Sequence, residues 1–294
     1  MKKFKSLVIA LVALCGCAVS SNAQILYKVE KKGSDKVSYL LGTHHFAPLA
    51  VVDSISEIPS MLASVDKLYG ELDMAQMTDP SVMAAMQATL MAPSDSTLDK
   101  VLDQAQLARL SDAWNNLTGG TVPLEMMYSV KPAVVSTQIA AILTQKVFPN
   151  LNPMEGIDMT MQTRAKELGK PVDGLETMAF QMDMLYNRPI SEQAEGLMKT
   201  VDDLDNNEKK SIALSQAYLN HDMDSILKMM EEEEESEETM DRMIFSRNAN
   251  WVKQLAEEMP EESIFVVVGA AHLPGQKGVI EGLRKAGFKV TPIK

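Results

Sequence analysis

Ser263-Ile264-Phe265-Val266-Val267-Val268-Gly269-Ala270-Ala271-His272 is the stretch that decides the fold. Its first part is a hydrophobic, β-branched run of strand length closed by a glycine. The residues after it complete a unit: 278–286 carries a helical pattern, Gly287 stops it, and 288–291 is another strand. A strand, a helix and a strand in that order predict an α/β protein. Working toward the other end, 25–30 and 36–41 are short β-like runs separated by Lys-Lys-Gly-Ser-Asp, which predicts an opening hairpin that stops at Gly42. A helix is expected over 54–65 and a buried strand over 67–72, ending in Gly70-Glu71-Leu72-Asp73. The segment 156–168 reads as an amphipathic helix closed by Gly169, and 171–174 as a short strand before Leu175-Glu176. Between these lie 78–155 and 191–259, rich in Ala, Met, Leu and Gln and lacking strand signals, which are expected to be mostly helical. The expectation is a central mixed β-sheet assembled from N- and C-terminal segments, with a largely helical middle section and no tandem repeat.

Composition narrows the function classes. The 294 residues are 46% hydrophobic and 23% charged, as in a folded globular protein, and the net charge of −12 argues against binding nucleic acid or anionic lipid in general. Lys2, Lys3 and Lys5 precede an apolar run over 6–19 that ends in Ser21-Asn22-Ala23, so residues 1–23 read as a signal peptide and 24–294 as the mature domain. Export to the periplasm or the exterior is expected. A second cut is open at Leu14-Cys15-Gly16-Cys17, which would leave a lipoprotein anchored through Cys17, the one route to a membrane. Both cysteines lie in this leader, so cleavage after Ala23 removes disulfides, cysteine-zinc sites and cysteine nucleophiles from the repertoire.

Only four histidines occur, and three of them stand just beyond predicted strands. Gly42-Thr43-His44-His45 and Gly269-Ala270-Ala271-His272 repeat one Gly-x-x-His spacing, and Glu71 and Glu176 also sit at strand ends. Ligands bind at strand ends in open α/β sheets, and two imidazoles with one or two carboxylates make a reasonable donor set for Zn, Mn or Co as divalent ions. Each residue also has a plainer role. His45 and His272 could be polar turn residues, Glu71 and Glu176 could cap following helices, and Arg247 could form an ordinary surface ion pair. His44 points away from His45 in extended backbone and is expected in an outer shell or on the surface. Asp73 and Asn248 are weaker candidates, and His221 carries no partner motif. The acidic run from Glu231 to Glu238 lacks the alternating ligands of a calcium loop and reads as a solvated face, and the 22 methionines read as core packing.

Leu41-Gly42-Thr43-His44-His45, Glu71-Leu72-Asp73, Gly174-Leu175-Glu176, Arg247-Asn248 and Val268-Gly269-Ala270-Ala271-His272-Leu273 resemble the TraB/GumN family across nearly the whole mature chain. So does Gly156-Ile157-Asp158 leading through Arg164-Ala165-Lys166 into Gly169-Lys170-Pro171-Val172. That family is grouped with Tiki metalloproteases, erythromycin-esterase-like proteins and ChaN-like haem-binding proteins. The resemblance implies one TraB/GumN-like domain over 24–294 and a divalent-metal-dependent hydrolase of peptidase or esterase type. His45, His272 and Glu71 would hold the metal, Glu71 or Glu176 would act as general base, and Arg247 would anchor a carboxylate or stabilise developing charge. The partner would be a peptide or small-molecule substrate. Two departures stand out: Ser246 precedes Arg247-Asn248 where the family usually carries an acid, and His44 is extra. The alternatives are a haem- or ligand-binding module and a non-catalytic accessory protein of the cell envelope. No His-Glu-x-x-His helix is present, which separates the chain from ordinary zincins.

Overall fold

The computed structural model describes residues 24–149, 156–232 and 236–293. The predicted leader, with Cys17 and the alternative cleavage sites, and the centre of the acidic run lie outside the described residues. A six-stranded mixed sheet, in the order β4-β3-β5-β2-β1-β6, organises the molecule. β1 (Leu26–Lys31) and β2 (Val37–Thr43) form the expected antiparallel hairpin. After a short helix α1 (Ala50–Asp53) and a second, α2 (Ile58–Ser64), comes β3 (Lys67–Gly70). The helix expected over 54–65 is α2, which starts four residues later and carries Pro59 in its first turn, where a missing N–H costs nothing, and α1 before it was not expected.

The middle is helical: α3 (Pro80–Leu90), α4 (Leu98–Val101), α5 (Gln104–Thr118) and α6 (Pro132–Val147). α5 shows why the chain folds locally as it does. Asp103 and Gln106 form a reciprocal capping box at its start, and Gly119, at φ 63°, ends it in the left-handed region. α7 (Ile157–Glu167) then leads into β4 (Val172–Gly174). α8 (Met178–Tyr186), α9 (Ile190–Asp202), α10 (Leu204–Leu219), α11 (Met223–Glu232) and α12 (Glu237–Met240) follow. A π-helical turn, Asp241–Phe245, runs into α13 (Ser246–Glu258). β5 (Ile264–Gly269), α14 (Val279–Lys285) and β6 (Phe288–Pro292) close the chain.

β5 carries the decisive stretch. Ile264, Phe265, Val266, Val267 and Val268 are all 0% exposed, because β5 lies between β3 and β2 with helices on both faces. β4, β3, β5 and β2 run parallel, and the register sets Gly174 beside Gly70, Gly70 beside Val267, and Thr43 beside Gly269. Four carboxyl ends are thus aligned along one edge. N- and C-terminal segments meet directly in the β2–β5 pair. A second apolar cluster, around Leu98, Leu110, Trp114, Val135, Ile139 and Leu197, belongs to the helical section. That section is pinned to the sheet by Tyr218 of α10, whose buried hydroxyl donates to Gly42 O at 3.0 Å.

Candidate active site

The aligned strand ends deliver Glu176 after β4, Glu71 after β3, His272 after β5 and His45 after β2. Glycines make the arrangement possible. A Cβ on Gly70 would stand 2.5 Å from Gln162 Nε2 and 2.8 Å from Leu72 O, closer than packed atoms allow.

Arg247, in the first turn of α13 and 5% exposed, is the hub. Its Nη2 donates to Glu71 Oε2 at 2.6 Å and to Glu176 Oε2 at 3.1 Å, and its Nε donates to Glu176 Oε1 at 2.8 Å. Its Nη1 donates to Met243 O in the π-helical turn at 2.8 Å and lies 3.1 Å from His272 Nε2. A guanidinium buried this deeply survives because every fork is matched by an acceptor. Gln181 of α8 donates to both carboxylates, at 3.0 Å to Glu71 Oε2 and 3.3 Å to Glu176 Oε2. Trp251 Nε1 adds a bond of 3.0 Å to Glu176 Oε1, and its ring centroid is 4.4 Å from that of His272. Glu176 is therefore saturated with donors, while Glu71 turns Oε1 toward the Gly269 N–H at 2.8 Å and His272 Nε2 at 3.9 Å.

Hydrogen bonding fixes the His272 tautomer. Asn248 spends its amide N–H groups on His272 O at 3.2 Å and Lys277 O at 2.9 Å, so its Oδ1, 2.6 Å from His272 Nδ1, accepts the ring proton. The lone pair is then on Nε2. Burial first, and Arg247 after it, bring the His272 pKa down to about 4, so the ring is neutral at neutral pH. Burial alone would raise the Glu71 pKa, but His272, His45, Arg247 and the Gly269 N–H together bring it to about 2.

His45 occupies a different setting. Its side chain is 63% exposed. Its Nδ1 lies 3.0 Å from Asp158 Oδ2, and Thr43 Oγ1 donates to the other Asp158 oxygen at 2.9 Å. The Asp158 charge and hydrogen bond raise its pKa to about 9. His44 corrects the sequence expectation, being neither on the surface nor in an outer shell of the cluster. It is partly buried between Phe148 and Tyr218, with Nε2 3.4 Å from Ser215 Oγ, and burial lowers its pKa to about 4.

Sequence reasoning named Glu71, Glu176, Arg247 and His272, which the fold brings into one bonded cluster, and His45, which it sets at the rim. It missed Gln181 and Trp251, quoted Asp158 in a family-like segment without giving it a role, and underrated Asn248. Asn248 and Asp158 both stood in strings that carry the resemblance, whereas Gln181 and Trp251 stood in none. Asp73 is an N-cap, accepting from Ala75 N, and Ser246 Oγ donates to Asp241 Oδ2 at 2.5 Å. Among the described residues no three His, Cys, Asp or Glu side chains are grouped to hold a metal ion; Arg247 lies against His272 Nε2, and Asp158 against His45 Nδ1.

The sequence profile of one family matches residues 25–292, from the first strand to the last. The chain belongs to the TraB/PrgY/gumN family. Among curated proteins, this TraB/PrgY/gumN chain is similar to the metalloprotease TIKI1 of Xenopus tropicalis, at 22% identity over 97% of the chain and 66% of that protein. It thus spans a little under two thirds of that relative's length. No solved structure matches it. The strings that carried the resemblance fall on the four strand ends, on α7 with the turn into β4, and at the start of α13.

Proposed function

We propose that this protein is an exported, divalent-metal-dependent hydrolase acting on peptides or small esters. The observation that carries the reading is the anchoring of both Gly-x-x-His imidazoles through Nδ1. Asp158 Oδ2 holds His45, and Asn248 Oδ1 holds His272. A metal-ligating histidine characteristically has its second nitrogen tied in this way, which leaves Nε2 for the metal; His272 is already neutral, and His45 would give up its proton on binding. Together with the ionised Glu71, these residues fit a divalent ion in chemical kind, and His45, His272 and Glu71 would hold it. A cation there would compete with Arg247 Nη1 for the His272 lone pair. The similarity to a metalloprotease supports the same reading.

A bound divalent ion supplies Lewis acidity and a more acidic water. The residues do the rest. Glu71, held by the Gly269 N–H and facing His272, is the carboxylate placed to orient a water. Glu176, enclosed by Arg247, Gln181 and Trp251, fixes the guanidinium instead of moving a proton. Arg247 spends its forks on the two acids and serves as their anchor. Export rests on the leader pattern of residues 1–23. Among the described residues no helix is long and apolar enough to cross a membrane. Calorimetric titration with Mn, Co and Zn ions beside His45→Ala and His272→Ala tests the site. Stoichiometric binding lost in both folded variants supports it, and equal binding by the variants or none by wild type removes it. N-terminal sequencing of protein recovered from cell fractions separates a start at Gln24 from a lipidated Cys17.

One observation favours ligand binding as a second reading. A cavity of about 510 Å³ between α3 and α8 is lined by Val82, Met86, Met178 and Met182, with Lys131 and Asp183 as its charged groups. This volume suits a small apolar ligand. Its described lining holds neither the His nor the Tyr that an axial bond to haem requires.

A further inference from the structure

α7 packs against β3, β4 and β5, and one stripe of it reaches the loops after both β2 and β3. Residues four apart on a helix share a face. Asp158, in the first turn, receives Thr43 Oγ1 at 2.9 Å and faces His45 Nδ1 at 3.0 Å, so it holds the loop after β2. Gln162, one turn on and 3% exposed, holds the loop after β3: its Nε2 donates to Leu72 O at 2.7 Å and its Oε1 accepts from Met74 N at 2.9 Å. These backbone groups bracket the chain immediately after Glu71. A further turn on, Lys166 reaches Asp73 at 3.2 Å, a half-exposed pair of small energetic weight.

Both inner contacts are long-range and fully matched. A buried glutamine amide satisfied at each end by backbone of one loop fixes that loop more tightly than apolar packing, because losing it strands polar groups. The bare Cα of Gly70 makes room for the Gln162 amide, since a Cβ there would meet Nε2 at 2.5 Å. His45 has little else to hold it, being 63% exposed.

We propose that α7 is the positioning helix of the site, with Asp158 setting the His45 ring and Gln162 setting the Glu71 backbone. Asp158 and Gln162 are positioning residues, acting through His45 and Glu71. The contacts stand by themselves, while the consequence for metal binding rests on the proposed function.

The test reads the two halves separately by NMR of the full chain. Three-bond couplings to His45 Cγ report its χ1, and the Gly269 amide, which donates to Glu71 Oε1 at 2.8 Å, reports the carboxylate. Wild type is expected to show one His45 rotamer. Asp158→Ala should average it and leave the Gly269 amide in place, and Gln162→Leu should move the Gly269 amide and leave the His45 rotamer alone. Asp158→Asn keeps an acceptor oxygen and should restore the single rotamer. If Gln162→Leu does not fold, Gln162→Glu carries the test, since it keeps the acceptor for Met74 N and loses the donor to Leu72 O. Unchanged His45 couplings in Asp158→Ala, or an unchanged Gly269 amide in the folded Gln162 variant, would overturn the proposal. Mn affinity is measured on the same samples, with a loss of about 10–100-fold expected for Asp158→Ala and partial recovery in Asp158→Asn. If wild type binds no Mn, the metal reading fails while the couplings still decide the positioning.

Discussion

Arg247 concentrates the energetics of the site in one side chain. Two carboxylates that are 12% and 6% exposed face each other across it, and neither has water to spare for screening. Arg247→Met would leave two uncompensated buried charges and is expected to cost about 3–5 kcal/mol, read from urea denaturation at neutral pH. Adding Glu71→Gln and Glu176→Gln to that variant should recover most of the loss, because no ion is then left unpaired. Full additivity of the three losses would refute the coupling. Asn248 offers a smaller test of the same logic. Asn248→Leu removes the acceptor of the His272 Nδ1 proton and two donors to backbone carbonyls, and about 1–3 kcal/mol of stability should go with them. Asn248→Asp keeps an acceptor and adds a charge, so the His272 pKa should rise, as an NMR titration of its ring protons would show.

At the scale of elements, the strands and their closing glycines were legible because their signals are local. The apolar run 263–268, the turn composition before Lys36 and the breakers Gly169 and Gly287 each lie within a few residues of what they specify. The four-residue helix α1 was not legible, since so short a piece cannot show a period. Nor was the network that holds the site: Gln181 meets Glu71 across 110 positions of chain, and Asp158 meets His45 across 113. No spacing rule connects such pairs. The histidines and acids could be picked out only because strand ends collect function and a family pattern marked them. Glycine substitutions separate packing from propensity here. Gly70→Ala should cost about 1–3 kcal/mol, because the new Cβ meets Gln162 and the Leu72 carbonyl. Gly196→Ala, inside α9 with nothing within 4 Å of the added carbon, should stabilise by about 0.5–1 kcal/mol. Thermal melts of the two variants should move in opposite directions.

For the whole molecule, the buried histidines set the response to acid. His44 and His272 titrate near 6.5 when unfolded and at about 4 when folded, held down by burial. Between those values the unfolded chain binds more protons than the folded one, so stability is fully present above pH 6.5 and falls as pH drops toward 4. With both groups titrating, the slope reaches up to about 2.7 kcal/mol per pH unit. Glu71 extends the loss, because its folded pKa of about 2 lies below its ordinary value of 4.5, and its contribution disappears as pH falls through that interval. His45 has the opposite sign: raised to about 9 by Asp158, it favours the folded state below its unfolded pKa, and that support is lost as pH rises through 9. Water around its exposed ring keeps this second arm shallow. The stability profile should therefore be steep on the acid side and gentle on the alkaline side. His44→Asn keeps an acceptor for Phe46 N and removes one titrating ring, so denaturant midpoints measured between pH 4 and 6.5 should show a slope smaller by about one proton. An unchanged slope would mean that His44 is protonated alike in both states. That outcome would contradict its packing between Phe148 and Tyr218, where the helical section closes over the end of β2.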